Sequence, residues 1–175
     1  TRPQSIVSTG NKMYIKYHAE TKSSILGFLR LTSGLSKTFD LNVSTSIISD
    51  NNGRGVAIEN LRSQVHIHQT SISNNNHVAG LDIVNGAGDV NVTESRISYN
   101  TGDGINITYT GGNRNISYST LSSNLGYGIA VWLNDSKETE YIHFNQSTAI
   151  QYSEIFKNLQ IGVLHGNFCG DSWIN

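Results

Sequence analysis

Two aspartates, Asp82 and Asp103, are the residues of this sequence best suited to acid–base chemistry. Glycoside hydrolysis uses a pair of carboxylates roughly 5–9.5 Å apart, one of which acts as the general acid. No two aspartates are adjacent in the sequence, so such a pair forms only if the fold brings distant residues together. A carbohydrate-processing site therefore depends on the elements that carry Asp82 and Asp103.

A second candidate for chemistry is the histidine pair His66 and His68. Residues two apart on a strand point to the same side, so both imidazoles could approach one metal ion. A zinc site needs at least three protein ligands, and no third ligand is identifiable in the sequence. We therefore predict neither a metal site nor a cofactor.

An internal repeat reveals the elements that position these residues. The unit is apolar-x-apolar, four residues, apolar-x-x-Asn, three or four residues, then Gly-apolar-x-apolar. Its central apolar anchors step by 24, 25, 24 and 34 residues and are Ile48, Ile72, Ile97, Leu121 and Ile155. The repeated asparagines are Asn51, Asn75, Asn100, Asn124 and Asn158, and the repeated glycines are Gly55, Gly80, Gly104, Gly128 and Gly162. The repeat places Asp82 and Asp103 in different columns.

Within each unit the apolar residues alternate with period two, which indicates short β-strands. Three such strands cannot bury a face alone, but each can pair in parallel with its counterpart in the next unit. The repeat thus predicts an all-β parallel β-helix of about five coils, near 41–64, 65–89, 90–113, 114–147 and 148–175. A leucine-rich repeat has a similar period and is the alternative, but leucine is not the dominant anchor here.

The asparagine column is expected to be structural. Stacked about 4.8 Å apart, the side-chain amides can hydrogen bond along the column and to buried turn amides. We expect Gly104 to let the chain enter the next strand at a φ that bulkier residues avoid. The Asn-Gly pattern is therefore interpreted as a structural ladder rather than as a binding or catalytic site.

The first forty residues lack the repeat. Residues 11–20 and 23–31 each alternate as a strand, which predicts an antiparallel β-hairpin that caps the first coil. The chain is accordingly divided into an N-terminal hairpin unit, 1–40, and a β-helix, 41–175.

Composition limits the partners. The net charge of −1 gives no electrostatic reason to expect nucleic acid. No apolar run approaches about 20 residues, so no direct membrane insertion by this segment is predicted. The single cysteine, Cys169, cannot form a disulfide within the chain, so its partner is expected in another segment.

Asn-x-Ser/Thr sequons suggest a secreted glycoprotein. They begin at Asn42, Asn91, Asn106, Asn115, Asn134 and Asn145. Three of them fall in the outward column of the first strands. Asn91 and Asn106 are expected to be modified first because both lie on strands with outward side chains.

The repeat resembles the right-handed parallel β-helix family, which includes pectate lyases and polygalacturonases. "NTGDG" (100–104) is similar to the polygalacturonase motif N-T-D-G with an added glycine, and "LHG" (164–166) is similar to G-H-G with Leu164 replacing glycine. The adjacent aspartates of that enzyme family are absent, and the outward first-strand positions carry no carboxylate or cation. The resemblance implies the fold, and we predict no enzyme. A pectinase-like protein that binds or processes carbohydrate remains the alternative.

The stretch "STGNKMYIKYHAETKSSILGFLRLTS" (8–33) resembles the closing strands of a CUB domain. A CUB-like end followed by a β-helix is similar to the large insect ectodomains of tricellular septate junctions. This resemblance implies a structural or adhesion segment of an extracellular, membrane-anchored protein at cell–cell junctions. Its implied partners are other segments of the same protein, junction proteins, a homotypic partner and glycans.

Overall fold

The structure is a computed structural model that describes side chains over 40–59, 64–85, 88–108, 112–132 and 147–164. It gives strand positions alone for 5–9, 12–16, 18–19, 29–32, 146, 165–166 and 170–174. Within these residues the chain is built from β-strands, and no helix is long and apolar enough to cross a membrane.

Three strands make each coil. After β1 (Ser5–Thr9), the first three coils are β2 (Lys12–Lys16), β3 (His18–Ala19) and β4 (Leu29–Thr32); β5 (Asp40–Ser44), β6 (Ile47–Ser49) and β7 (Val56–Glu59); β8 (Val65–His68), β9 (Ser71–Ser73) and β10 (Ala79–Val84). The next three are β11 (Val90–Thr93), β12 (Arg96–Ser98) and β13 (Asp103–Thr108); β14 (Arg114–Ser117), β15 (Thr120–Ser122) and β16 (Ile129–Trp132); β17 (Gln146–Gln151), β18 (Glu154–Phe156) and β19 (Val163–Gly166). The last strand is β20 (Gly170–Ile174).

Equivalent strands of successive coils pair in parallel and form three sheets. The first sheet has the order β1-β2-β5-β8-β11-β14-β17-β20, the second β3-β6-β9-β12-β15-β18 and the third β4-β7-β10-β13-β16-β19. In the second sheet Ile72, Ile97 and Leu121 are aligned, and all three are fully buried. Because each coil has too little apolar surface to fold alone, the stacked columns form one core that runs through the coils.

The predicted parallel β-helix is confirmed, with two corrections. The described residues hold six complete coils rather than about five, and the predicted hairpin between 11–20 and 23–31 is not confirmed. Strands β2, β3 and β4 lie in three different sheets and pair in parallel with β5, β6 and β7. The antiparallel pair is one element earlier, between β1 and β2. Alternation alone cannot separate a hairpin strand from a coil strand, and this coil lacks the Asn-Gly signal.

Two sharp corners flank the strands of the second sheet. One residue at each corner has a φ between 45° and 59°. These residues are Thr45, Gln69, Glu94, Tyr118 and Tyr152 at the first corner, and Asp50, Asn74, Tyr99, Ser123 and Lys157 at the second. A left-handed conformation is costly for non-glycine residues, so the surrounding stack must hold the corners in place.

Candidate functional site

The repeated asparagines form a hydrogen-bonded column at the second corner. Nδ2 of Asn51 donates to Oδ1 of Asn75 at 2.7 Å, and Nδ2 of Asn75 donates to Oδ1 of Asn100 at 3.0 Å. The same bond joins Asn100 to Asn124 at 2.9 Å and Asn124 to Asn158 at 3.0 Å. Every amide therefore points in the same direction along the axis.

The side chains of Asn75, Asn100, Asn124 and Asn158 also bond to two backbone groups of the preceding coil. Oδ1 of Asn124 accepts the backbone N–H of Asn100 at 3.1 Å, while Nδ2 of Asn124 donates to the carbonyl of Ile97 at 3.2 Å. Because Asn100 and Asn124 are only 1% exposed, these turn groups have no access to water. The column thus satisfies buried backbone groups that would otherwise destabilise every corner.

A second column, made of hydroxyl groups, occupies the first corner. The backbone N–H groups of Thr70, Ser95 and Ser119 each donate to a hydroxyl in the next coil at 3.1 Å. The hydroxyls of Ser95 and Ser119 donate in turn to carbonyls two residues earlier in their own coils. Sequence reasoning missed this column, although a Ser or Thr stands two residues before every central anchor: Ser46, Thr70, Ser95, Ser119 and Ser153.

The repeated glycines are needed for space. None of the five has a φ in the left-handed region between +20° and +160°, so the backbone reason expected for Gly104 is wrong. A Cβ on Gly104 would lie 2.6 Å from the carbonyl oxygen of Gly128 and 2.9 Å from Nδ2 of Asn124. Gly55, Gly80 and Gly128 are similarly crowded by the next ladder asparagine. The glycine column therefore makes room for the asparagine column.

The outward face of the first sheet is polar and partly exposed. Asn42, His66, Asn91, Asn115 and Ala149 are aligned across five coils. Nδ1 of His68 lies 2.9 Å from the hydroxyl of Thr93, and Nε2 of His66 lies 3.0 Å from Oε1 of Gln64. Among the described residues, no group of three His, Cys, Asp or Glu side chains could hold a metal ion.

Asp82 lies on the outward side of the third sheet but is only 2% exposed. Its Oδ2 lies 2.6 Å from Nε of Arg54, and its Oδ1 accepts a 2.7 Å bond from Nδ2 of Asn106. In the same row Ala57 and Ala130 are fully buried, while Asn106 is partly exposed. Both oxygens of Asp82 are thus held by neighbouring coils.

Asp103 is not aligned with Asp82, because Asp103 pairs with Ala79 while Asp82 pairs with Asn106. Oδ1 of Asp103 accepts the backbone N–H of Tyr127 at 2.8 Å. Burial raises the pKa of the Asp103 carboxyl, the Tyr127 hydrogen bond lowers it, and the charge of Asp82 raises it. A raised carboxyl pKa is a feature of general acids, and desolvation is its largest cause at Asp103, the first residue of β13. What Asp103 lacks is a second carboxylate aligned with it in the sheet.

The pectinase-like motifs are used by the coil itself. Asn100 of "NTGDG" belongs to the ladder and Asp103 closes the turn before β16. His165 on β19 pairs with Val131 on β16, and β16 separates it from β13, the strand of Asp103. Asp82 and Asp103 are thus each bonded to a neighbouring coil and are not aligned as a carboxylate pair.

A buried arginine interrupts the core of the first sheet. Arg114 is 1% exposed and aligns with Val90 on one side and Thr148 on the other. Burial lowers its pKa to about 10, so the guanidinium stays charged at neutral pH. No periodicity argument finds it, because the same position is apolar in the preceding coils.

Exposed aromatic side chains cluster toward the last coils. The rings of Tyr118 and Tyr152 stack with centroids 5.0 Å apart and planes at 11°. The rings of Tyr127 and Trp132 pack edge to face, with centroids 6.5 Å apart and planes at 74°.

Three residues singled out in the sequence lie outside the described residues: the sequon asparagines Asn134 and Asn145, and Cys169.

Comparison with known proteins agrees with this architecture. Residues 33–149 match the model of the right handed beta helix region, and the chain belongs to this family. It is 54% identical over 178 aligned residues to Protein bark beetle of Drosophila melanogaster, a match that covers 100% of the chain. The chain spans only 6% of the length of that protein. No solved structure gives a significant match.

Proposed function

We propose that this chain is a non-enzymatic structural segment of a large extracellular junction protein. In this proposal it is a stiff β-helical spacer in a membrane-anchored ectodomain and helps to assemble tricellular septate junctions. The observation that carries the proposal is the use of polar side chains to join coils: the ladder asparagines, Asp82 and Asp103 all bond to neighbouring coils. The similarity to bark beetle supports the same class of protein.

A spacer requires stiffness, and the stacked columns supply it. Bending between coils would have to break side-chain bonds at both corners as well as the strand pairing. Partners of this segment would then be other parts of the same protein, with junction proteins, a second copy or glycans bound elsewhere along it. No chemical step is assigned to any residue.

The test is replacement of the parent protein in insect epithelial cells by matched variants. Removal of the whole segment is expected to displace the protein from three-cell contacts, whereas Asp103→Asn is expected to leave it in place. Normal localisation without the segment would contradict a structural role in the junction.

The pectinase alternative is tested with pectin and polygalacturonate. We expect no soluble products from either polymer. Depolymerisation that is abolished by Asp103→Asn, with the variant still folded, would overturn the structural proposal in favour of a carbohydrate-processing enzyme.

A further inference from the structure

We propose that N-glycans are attached to the outward face of the first sheet, at Asn42, Asn91 and Asn115, and that the sequon at Asn106 stays unmodified. The inference rests on the extracellular location proposed above. It keeps the sequence-based expectation for Asn91 and reverses the one for Asn106, because the hydrogen bonds of the two side chains differ although both sequons satisfy the same Asn-x-Ser/Thr pattern.

The first-sheet sequons have the geometry that a bulky sugar needs. Asn91 and its sequon hydroxyl Thr93 lie two residues apart on β11, so both face outward, and both are partly exposed. Asn42 with Ser44 on β5 repeats this placement in register. Asn115 on β14 is also partly exposed, whereas its sequon hydroxyl, Ser117, is only 7% exposed.

Attachment at these positions breaks no contact. No other described residue hydrogen bonds to the side-chain amide of Asn42, Asn91 or Asn115. Asn115 is aligned with the small side chain of Ala149, which leaves space on one side for the first sugar. Glycosylated asparagines belong at a hydrated surface, and this face supplies one.

Asn106 lies in a different environment although it also stands on a strand. Its Nδ2, the atom to which a glycan would be attached, donates to Asp82 at 2.7 Å and lies 3.4 Å from the hydroxyl of its own sequon, Thr108. Its partners in the sheet are Asp82, which is 2% exposed, and Ala130, which is fully buried.

A glycan on Asn106 would replace one of the two N–H groups of Nδ2 and would need space beside Asp82 and Ala130, which are buried although Asn106 itself is partly exposed. If the sugar replaces the N–H that bonds to Asp82, the buried carboxylate loses a hydrogen bond, and an under-satisfied buried charge is strongly destabilising. If it replaces the other N–H, the sugar occupies the side of Nδ2 that lies 3.4 Å from the hydroxyl of Thr108. A chain modified at Asn106 is therefore not expected to complete this coil, whereas a chain modified at Asn91 is.

The experiment maps glycan sites in the full-length parent protein recovered from secreting insect cells. Peptide N-glycosidase in heavy-oxygen water marks each formerly glycosylated asparagine. We expect the mark at sequons of the first sheet and none at Asn106. A mark at Asn106 would overturn the inference. So would the absence of a mark from all three of Asn42, Asn91 and Asn115.

Two matched variants extend the test. Asn91→Gln is expected to lose its mark and to be secreted normally, while Asn106→Gln is expected to keep every mark but to be secreted less because Asp82 loses its donor. A change in glycan mass with Asn106→Gln contradicts the inference. Surface biotinylation tests the proposed location separately: if the reagent does not label the native protein, the protein is not extracellular. The sequon inference can still be tested in that case, by exporting the same protein behind a cleavable leader and mapping which sequons carry a glycan.

Discussion

At the scale of single residues, the ladder asparagines differ from their exposed neighbours in what they bond. Asn100→Ala removes a side chain that bonds to Asn75, Asn124 and the carbonyl of Ile72. We expect it to lower the free energy of unfolding by about 1–3 kcal/mol, because buried backbone and amide groups lose their partners.

Thr101→Ala is the matched control for this ladder prediction. Thr101 is exposed, and its hydroxyl makes contacts of 3.3 and 3.5 Å to carbonyls of the previous coil. In urea unfolding, Thr101→Ala should lower the free energy of unfolding much less than Asn100→Ala does. Equal losses at the two positions would show that the asparagine column does not stabilise the corner.

The raised pKa of Asp103 gives a prediction with a definite sign. The folded state holds the carboxyl proton more tightly than the unfolded state, whose pKa is near the ordinary 3.8. Stability from this group is therefore greatest when it is protonated and is lost as pH rises through the folded pKa. Asp103→Asn keeps an oxygen for the Tyr127 N–H and removes the charge, so it should unfold at higher urea concentration near about pH 7.

The measurement for Asp103→Asn is the urea midpoint as a function of pH. The advantage of the variant should disappear below pH 3.8, where the wild-type carboxyl is neutral in both states. Asp82→Asn is the control of opposite sign, because it weakens the pair with Arg54 at 2.6 Å. A lower midpoint for Asp103→Asn at neutral pH would contradict the assigned desolvation.

At the scale of the element, the coil depends on close approach between two columns. Gly104→Ala would place a methyl group 2.6 Å from a backbone oxygen, whereas Gly162→Ala meets only Cγ2 of Ile155 at 3.3 Å. We expect Gly104→Ala to cost about 1–3 kcal/mol by overpacking and Gly162→Ala to cost far less. Urea unfolding of both variants checks this difference, and similar costs would argue against the crowding.

Much of the coil could be predicted from the sequence, because period-two apolar positions and a repeated Asn-Gly pair are strong signals. The corners could not, since their left-handed positions hold residues as different as Thr45, Glu94 and Tyr118. The pairing of Arg54 with Asp82 was also hidden, because neither residue recurs in the repeat. The first coil was missed because it presents strands without the asparagine that marks the other coils.

At the scale of the whole molecule, the repeat makes length adjustable. Deletion of residues 90–113 removes one coil and brings Asn75 beside Asn124, and Ile72 beside Leu121, in the same columns. The shortened chain should stay folded and should lose about 4.8 Å of length, because solenoid stability is a sum of coil and neighbour contributions.

A deletion of only 90–101 is the control for the shortened chain. It removes half a coil and sets unlike strands against each other, so cooperative unfolding should be lost. Circular dichroism and small-angle scattering distinguish the two deletions. If the full-coil deletion unfolds as completely as the half-coil deletion, the coils do not act as interchangeable units.

The uniform direction of the asparagine amides gives the two ends of the ladder opposite chemical character. Toward the amino end, the ladder finishes in Oδ1 of Asn51, a buried acceptor with no partner among the described residues. Toward the carboxyl end, it finishes in Nδ2 of Asn158, which donates to the carbonyl of Leu121 at 3.1 Å. A ladder asparagine added before Asn51 would have to donate to it, and one added after Asn158 would have to accept from it. Growth of the ladder by added coils is therefore polar, like the growth of a polymer with distinct ends.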